Sequence, residues 1–508
     1  MFVTLMATVY LKGDKEGLPA RRGALYRESI LLLLDRWTQT KDGRDNLLDI
    51  LGTKTLDDLV ERLAALAYDV HSKYGEQQGT PEVDEGLIYK HLKVMGRNVA
   101  ADLIPYLSEN AGVLVSPGQD DERDVFQFAH RTFQEYLAAQ RIAEQCREND
   151  DYTLVCDLIT GRPQVWRVLC LLVGDVLTDD ARFRDAWVLL EELLDFDPPQ
   201  DKDDPSWWRI WLAAEAAREQ GIADLNPDEI SRRQRKRLDE LREQLTALVE
   251  MPLALEPPER LTCGMVLGRV GDEREGVGLL PNDLPDIQWG QPVPAGTYSI
   301  GGDEDAFRSL PEQEVKFNYS YRLAVYPVTY QQFQTFLDAT DGFDSDTWWT
   351  DLPERWRKQA MQEQNNRYAN HPRELVSWYQ AYAFCKWLTA KYHAADLLSA
   401  ELEIRLPTQL EWEAAARYPD GRKYPWGNDY RVGYANVDEQ EESDGPYFLN
   451  QTTAVGMYPP SPLGLYDLSG NVLECTLDLE AEPGRVDILS DSARGLRGAS
   501  FVNNTRNA

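Results

Sequence analysis

Two stretches of the chain decide its second half: Arg405-Leu-Pro-Thr-Gln-Leu-Glu-Trp-Glu-Ala-Ala-Ala-Arg417 and Gly464-Leu-Tyr-Asp-Leu-Ser-Gly-Asn-Val-Leu-Glu474. In the first, Thr408 and Glu411 have capping-box spacing, so a helix starts directly after Thr408. Ser377 and Gln380 form a second box within Leu375-Val-Ser-Trp-Tyr-Gln-Ala-Tyr-Ala-Phe-Cys-Lys-Trp387. Upstream, Val293-Pro-Ala-Gly-Thr-Tyr-Ser-Ile-Gly-Gly302 reads as a strand and tight turn, and Tyr326-Pro-Val-Thr-Tyr-Gln-Gln-Phe333 as a strand entering a helix. Tyr424-Pro-Trp-Gly-Asn428 and Arg494-Gly-Leu-Arg-Gly-Ala-Ser-Phe501 complete an ordered series of motifs. Gly, Pro, Trp and Tyr are dense throughout, as in a domain with much irregular loop.

The character changes near residue 255, at the seam Pro252-Leu-Ala-Leu-Glu-Pro-Pro258. Before it, helical periodicity dominates. Leu25, Ile30, Leu33, Leu34 and Trp37 share one broad helical face, after a turn signal at Gly17-Leu-Pro19. Residues 83–117 read as short helices ending in a strand, Gly112–Pro117. An acidic turn, Gln119–Asp124, leads to a second strand, Val125–Phe128, and a long helix runs from His130 to about Cys146. Helices followed by strand–turn–strand form a winged-helix pattern. Residues 150–250 are helical, with Trp166, Trp187, Trp207, Trp208 and Trp211 as apolar anchors; Val165–Leu177 and Ala186–Phe196 would stack as helical hairpins. Ile230–Glu243 mixes both charge signs and reads as a solvated helix face.

Composition narrows the function. The 508 residues hold 53 Lys+Arg and 86 Asp+Glu, a formal net charge of −33. Such a chain repels phosphate, so nucleic acid and anionic membranes are not expected as partners. The six cysteines contain no C-x-x-C pair and read as small buried hydrophobes of a reducing cytoplasm. No apolar run reaches the ~20 residues of a membrane span. Met1–Tyr10 is apolar without a basic flank or cleavage site; it reads as the middle of a core helix, so the chain is expected to be part of a longer protein.

Two resemblances follow. Phe126-Gln-Phe-Ala-His-Arg-Thr-Phe-Gln-Glu-Tyr-Leu-Ala-Ala139 resembles the signature after the winged helix in NACHT-family signalling NTPases, and Gly17-Leu-Pro-Ala-Arg-Arg-Gly-Ala-Leu-Tyr-Arg-Glu28 their helical lid. No Gly-x-x-x-x-Gly-Lys-Ser/Thr loop occurs, so this chain is not expected to hydrolyse ATP and an NTPase module would lie upstream. His130 would then be either a nucleotide sensor or, on the favoured reading, a satisfied interdomain histidine. The motifs between 285 and 508 are similar to the sulfatase-modifying-factor, or formylglycine-generating enzyme, family. That resemblance implies a compact α+β C-type-lectin-like fold. The expected organisation is multidomain: a helical lid region (1–80), a winged helix (81–145), a helical arm (146–255), and a lectin-fold domain (285–508) cut before its last strand.

One fold serves several jobs, so the site has to decide. The copper oxidase of this family uses two cysteines just after its Gly-Gly-Ser-Phe motif, a soft pair suited to Cu(I). Here the motif is Gly498-Ala-Ser-Phe501, and the cysteine positions fall at Asn503 and near Ala508. The related iron sulfoxide synthases need three histidines. His71, His91, His130, His371 and His393 show no H-x-x-x-H spacing, and His371 in Asn370-His-Pro372 reads as structural. Neither copper nor iron, and no catalytic residue, is expected. The family's structural Ca2+ sites carry over to Asp467 and Glu474 with the carbonyls of Gly470 and Val472, and to Asn436, the Val437 carbonyl and Asp444; hard oxygens of this kind suit calcium.

Binding remains. Ser500-Phe-Val-Asn-Asn-Thr-Arg-Asn507 takes the ligand-facing position of the fold, with Phe501, Asn503, Asn504 and Arg506 as contacts and Trp426 beside them by family analogy. The expected function is the ligand-recognition and regulatory part of a cytoplasmic bacterial NACHT-type NTPase, its partners an upstream NTPase module and a protein or other macromolecular ligand. The alternatives are a formylglycine-generating or non-haem iron oxidase, and a variable binding protein of a diversity-generating retroelement, for which the Asn-rich segment would be the varied surface.

Overall fold

The computed structural model describes residues 22–35, 47–77, 79–116, 119–120, 123–179, 183–226, 228–303, 306 and 309–507. The expectations for Met1–Tyr10, Gly17–Pro19, Trp37 and Ala508 lie outside these residues. The chain divides into two compact units: Met1–Phe196 with Trp208–Arg237, and Asp197–Trp207 with Leu238–Ala508.

The first unit is built on α1 (Arg22–Asp35), α2 (Leu56–Tyr74), β1 (Val83–Asp84), α3 (Glu85–Leu92), α4 (Arg97–Pro105), β2 (Leu114–Val115), β3 (Gln119–Asp120), β4 (Arg123–Phe128) and α5 (Arg131–Asn149). β4 pairs antiparallel with β1, β2 and β3, which is the wing foreseen in the sequence; β2 is shorter than Gly112–Pro117. His130 is the N-cap of α5, its Nδ1 accepting from the Thr132 N–H at 3.2 Å. α5 then packs between α2 and α7 (Pro163–Asp179), with α6 (Thr153–Gly161) and α8 (Phe183–Leu194) alongside. Phe133, Tyr136, Leu137 and Ile142 are its buried face. Arg131 closes the end of α2 by donating to the carbonyls of Gly75 (3.0 Å), Gln77 (2.6 Å) and Gly79 (3.1 Å). These are carbonyls past a helix end, where a cation is favourable. Trp166, Trp187 and Trp211 are buried as expected, Trp211 on α9 (Trp207–Glu219).

The second unit starts with the latter part of α10 (Arg232–Glu250) and α11 (Pro257–Val270). Arg260 of α11 is buried and donates to the carbonyls of Leu248, Val249 and Met251 at the end of α10, and to Met457. The hairpin β5 (Gly296–Ile300)–β6 (Gln313–Phe317) follows. At its turn Gly301 (φ 71°) has no room for a Cβ, which would stand 2.4 Å from the Leu310 carbonyl oxygen. Helices α12 (Tyr330–Asp338), α13 (Trp378–Ala394) and α14 (Gln409–Ala416) each begin at a complete capping box. β7 (Glu474–Leu479) and β8 (Arg494–Arg497) pair antiparallel, and both contact α14. The core is aromatic: Phe384 and Trp387 of α13 pack with Phe333, Phe336 and Trp349. Between these elements the chain is mostly loop.

Candidate functional site

Three loops of the second unit meet around Gly470. A Cβ there would stand 2.5 Å from the Asn436 carbonyl oxygen, so glycine (φ 82°) is what lets the 464–474 loop lie against the 430–444 loop. Gly470 and Asn436 pair as a bridge, and the Asn471 N–H donates to the Asn436 carbonyl at 2.9 Å. The third loop joins through the Phe501 N–H on the Asn471 carbonyl (3.2 Å) and the Asp438 N–H on the Asn503 carbonyl (2.8 Å). Asn471 is the hub. Its carboxamide oxygen accepts from the Thr453 N–H (2.9 Å) and Asn436 Nδ2 (3.3 Å); its Nδ2 reaches Asp467 Oδ1 (3.3 Å). Asp467, Asn471 and Ala499 all hold positive φ, a concentration of backbone strain of the kind that accompanies functional loops.

Of the carboxylates at this junction Asp467 is buried, Glu474 half-buried and Asp444 exposed. Asp467 takes the Gly456 N–H at 2.8 Å, and burial pushes its carboxyl up to about 6; burial pushes Glu474, at the start of β7, up to about 7. Asn436 Oδ1 is buried without a hydrogen-bond partner. Asp444 accepts from the Thr505 hydroxyl. Among the described residues no three His, Cys, Asp or Glu side chains form a metal cluster, so a cation here would draw on carbonyl and carboxamide oxygens. The lone Asn436 Oδ1, the buried Asp467 carboxylate and the half-buried Glu474 fit a hard cation.

Beside the junction a cavity of about 870 Å3 opens into the domain. Val472, Leu473, Glu474 and Cys475 line one wall, Arg373 to Val376 another, and Phe384, Cys385 and Leu388 of α13 the interior. Three leucines of its lining are exposed: Leu375 (52%), Leu473 (44%) and Leu496 (46%). Together they give the mouth of the cavity an apolar rim. Cys385 and Cys475 both line it, but burial pushes their thiols up to about 12 and about 11, which disfavours thiolate.

The sequence-derived contacts divide. Phe501 lines the cavity with Ser500. Asn503 is turned to Ser500, and Asn504 and Arg506 both reach Glu442, at 3.3 and 2.9 Å. Trp426 stacks on Tyr424 (centroids 5.3 Å apart) and packs with Tyr430 beside Ala435 and Ala499, away from the cavity lining. His371 is fully buried, Nδ1 against the Thr452 hydroxyl at 3.1 Å. Leu375, Leu473, Leu496 and Arg373 did not stand out in the sequence; Leu375, Leu473 and Leu496 lie within quoted motifs, with no pattern marking them as exposed.

Comparison with known proteins agrees with both halves. Residues 291–508 match the sulfatase-modifying factor enzyme 1-like domain, and residues 22–142 the winged helix-turn-helix domain C-terminal to NACHT. The chain is 33% identical over 192 residues to the serine/threonine-protein kinase pkn1 of Chlamydia pneumoniae, covering 37% of this chain and 27% of that protein. It thus spans about a quarter of that relative. It is 27% identical over 264 residues to the formylglycine-generating enzyme of Thermomonospora curvata (41% of this chain, 81% of that one). It is also 27% identical over 250 residues to the inactive C-alpha-formylglycine-generating enzyme 2 of Bos taurus (41% and 75%). Among solved structures, Treponema denticola variable protein 1 aligns at 21% identity with a TM-score of 0.29, covering 44% of this chain and 88% of that one.

Proposed function

We propose that this chain, which carries a NACHT-associated winged helix and a C-terminal formylglycine-generating-enzyme-like domain, is the recognition and regulatory part of a bacterial NACHT-type signalling NTPase. Its C-terminal domain senses a ligand without turning it over. The observation that carries the reading is Asn503, at the position of the oxidase's first cysteine. Its side chain accepts from the Ser500 N–H and hydroxyl and so serves the loop. A relative of this domain is itself named inactive. The apolar cavity supplies a place for a ligand, and Phe501, Leu473 and Leu496 line it.

In this reading binding biases an on/off equilibrium of an upstream NTPase module, in the cytoplasm, through the winged helix. Calcium would be structural. Asp467, Glu474 and the Gly470 and Val472 carbonyls would hold one ion, and Asn436, the Val437 carbonyl and Asp444 a second. A bound Ca2+ would supply charge that offsets the buried Asp467 and half-buried Glu474 carboxylates and would cross-link the loops; it would take no part in a reaction.

The test is an oxygen-uptake assay of the full chain supplied with Cu(I), a thiol reductant and a cysteine-containing peptide. No uptake above the protein-free control is expected. Copper-dependent oxygen consumption with loss of the peptide thiol would overturn the reading.

A further inference from the structure

The cavity reaches past Phe333 and Phe384 into the aromatic core of the domain, and its volume of about 870 Å3 is that of a small-molecule site. Its polar groups are unequal. Arg405 is already bidentate to Glu411, at 2.8 and 2.7 Å, and Arg322 donates to the Gly290 carbonyl at 2.9 Å. Arg373 is less well served. Its guanidinium lies over the rings of Tyr330 (5.1 Å) and Phe333 (5.7 Å), donates one long hydrogen bond to the Gln362 carbonyl at 3.3 Å, and has the Tyr330 hydroxyl and the Glu374 carboxyl as its electrostatic neighbours. Its Nε is buried with no partner. An unmet donor on a cation, beside apolar walls, is expensive unless something negative completes it. Of the two carboxylates on the lining, Glu374 is half-buried, and burial holds its acid form up; Glu474 belongs to the candidate cation loop. Asn365 and Asn366, also on the lining, add side-chain amide donors to the cavity.

We propose that the cavity binds an amphiphilic carboxylate, a medium-chain fatty acid, with its chain against Phe333, Phe384 and Leu388 and its head group on Arg373. A guanidinium offers paired N–H groups in a planar fork that matches a carboxylate. Each methylene buried in such a cavity adds about fourfold in affinity. The inference rests on the reading of this domain as a recognition module and names the class of its ligand.

The experiment titrates the full chain with dodecanoate, dodecanol and dodecyltrimethylammonium, followed by calorimetry, with thermal melts of every variant. Dodecanoate is expected to bind saturably, at least about tenfold tighter than the cationic amphiphile of equal chain length. Arg373→Met is expected to bring the three within about threefold. Cys385→Trp, which fills the cavity, is expected to abolish all binding; Ala381→Leu, a smaller filling on the same wall, serves if the first variant does not fold. Equal binding of the three amphiphiles, unchanged by Arg373→Met but lost on filling, overturns the head-group assignment while leaving the domain a recognition module. Absence of any amphiphile binding to the folded chain overturns the proposal. The recognition reading itself fails separately, by copper-dependent oxygen uptake.

Discussion

The side-chain oxygen of Asn503 accepts two hydrogen bonds from Ser500, one from its backbone N–H at 2.9 Å and one from its hydroxyl at 2.7 Å. The Asn503 carbonyl takes the Asp438 N–H as well, so one residue ties two of the three site loops. Ser500 is buried, and a donor stranded there costs about 1–3 kcal/mol. Asn503→Ala is therefore expected to destabilise the second unit by about 1–3 kcal/mol in urea denaturation. Asn503→Cys is expected to cost a similar amount without conferring copper-dependent oxygen uptake, because one thiolate alone does not make a soft two-sulfur site for Cu(I).

Arg131 is the corresponding staple of the first unit. It donates to the carbonyls of Gly75, Gln77 and Gly79 and pairs with Glu135 at 3.0 Å. The residue lies at the start of α5, so its loss separates the end of α2 from the helix packed against it. Arg131→Ala is expected to cost about 2 kcal/mol, charged hydrogen bonds being stronger than neutral ones and partial exposure reducing their worth. Hydrogen exchange at residues 71–79 checks it; unchanged protection there would show that the clamp is idle.

Calcium, on the proposed site, would link loops that carry the buried Asp467 and the half-buried Glu474 carboxylates. Adding Ca2+ to chelator-treated protein is expected to raise the melting temperature of the second unit, and Mg2+ at equal concentration to raise it less, since magnesium tolerates few all-protein cages. Glu474→Gln is expected to blunt the response by removing a ligand charge. Asp467→Asn is a harsher variant, because Asp467 also receives the Gly456 N–H. Identical melts with Ca2+ and with chelator would exclude structural calcium.

Much of this fold was legible because its helix starts are written locally. Ser377–Gln380 and Thr408–Glu411 close the capping boxes their spacing predicts, and Thr329–Gln332 closes another that the same rule would have found. The wing was legible from its strand–turn–strand pattern. The surroundings of these motifs were not. Glu411 is a cap residue in the sequence, but in the fold it also takes both arms of Arg405 and the Tyr319 hydroxyl at 2.8 Å, a partner 92 residues away. The cavity was equally hidden: Leu375, Leu473 and Leu496 come from three separate motifs, and only the meeting of their loops makes them one rim. Asn504 and Arg506 read as free contacts because Glu442, which holds both, lies some sixty residues earlier in a loop without periodicity.

His371 gives the clearest pH signature. Its ring is fully buried, with Nδ1 against the Thr452 hydroxyl, Nε2 without a partner and the Tyr368 ring 4.8 Å away. No carboxylate touches it, and burial alone pushes its pKa down to about 3. The unfolded chain's imidazole takes its proton near pH 6.5. Between those values the unfolded state binds more protons than the native one, so stability is lost as pH falls from about 6.5 towards 3. The loss from this residue between pH 7 and pH 5 is about 2 kcal/mol. Asp467 and Glu474, whose carboxyls are raised, act in the opposite direction over part of the range, so the total profile does not isolate the histidine. The difference between wild type and His371→Gln does. Glutamine has no proton to gain, and its stability curve is expected to be flatter by about that amount over the interval. Parallel curves for the two proteins would show that His371 is not held neutral by the fold.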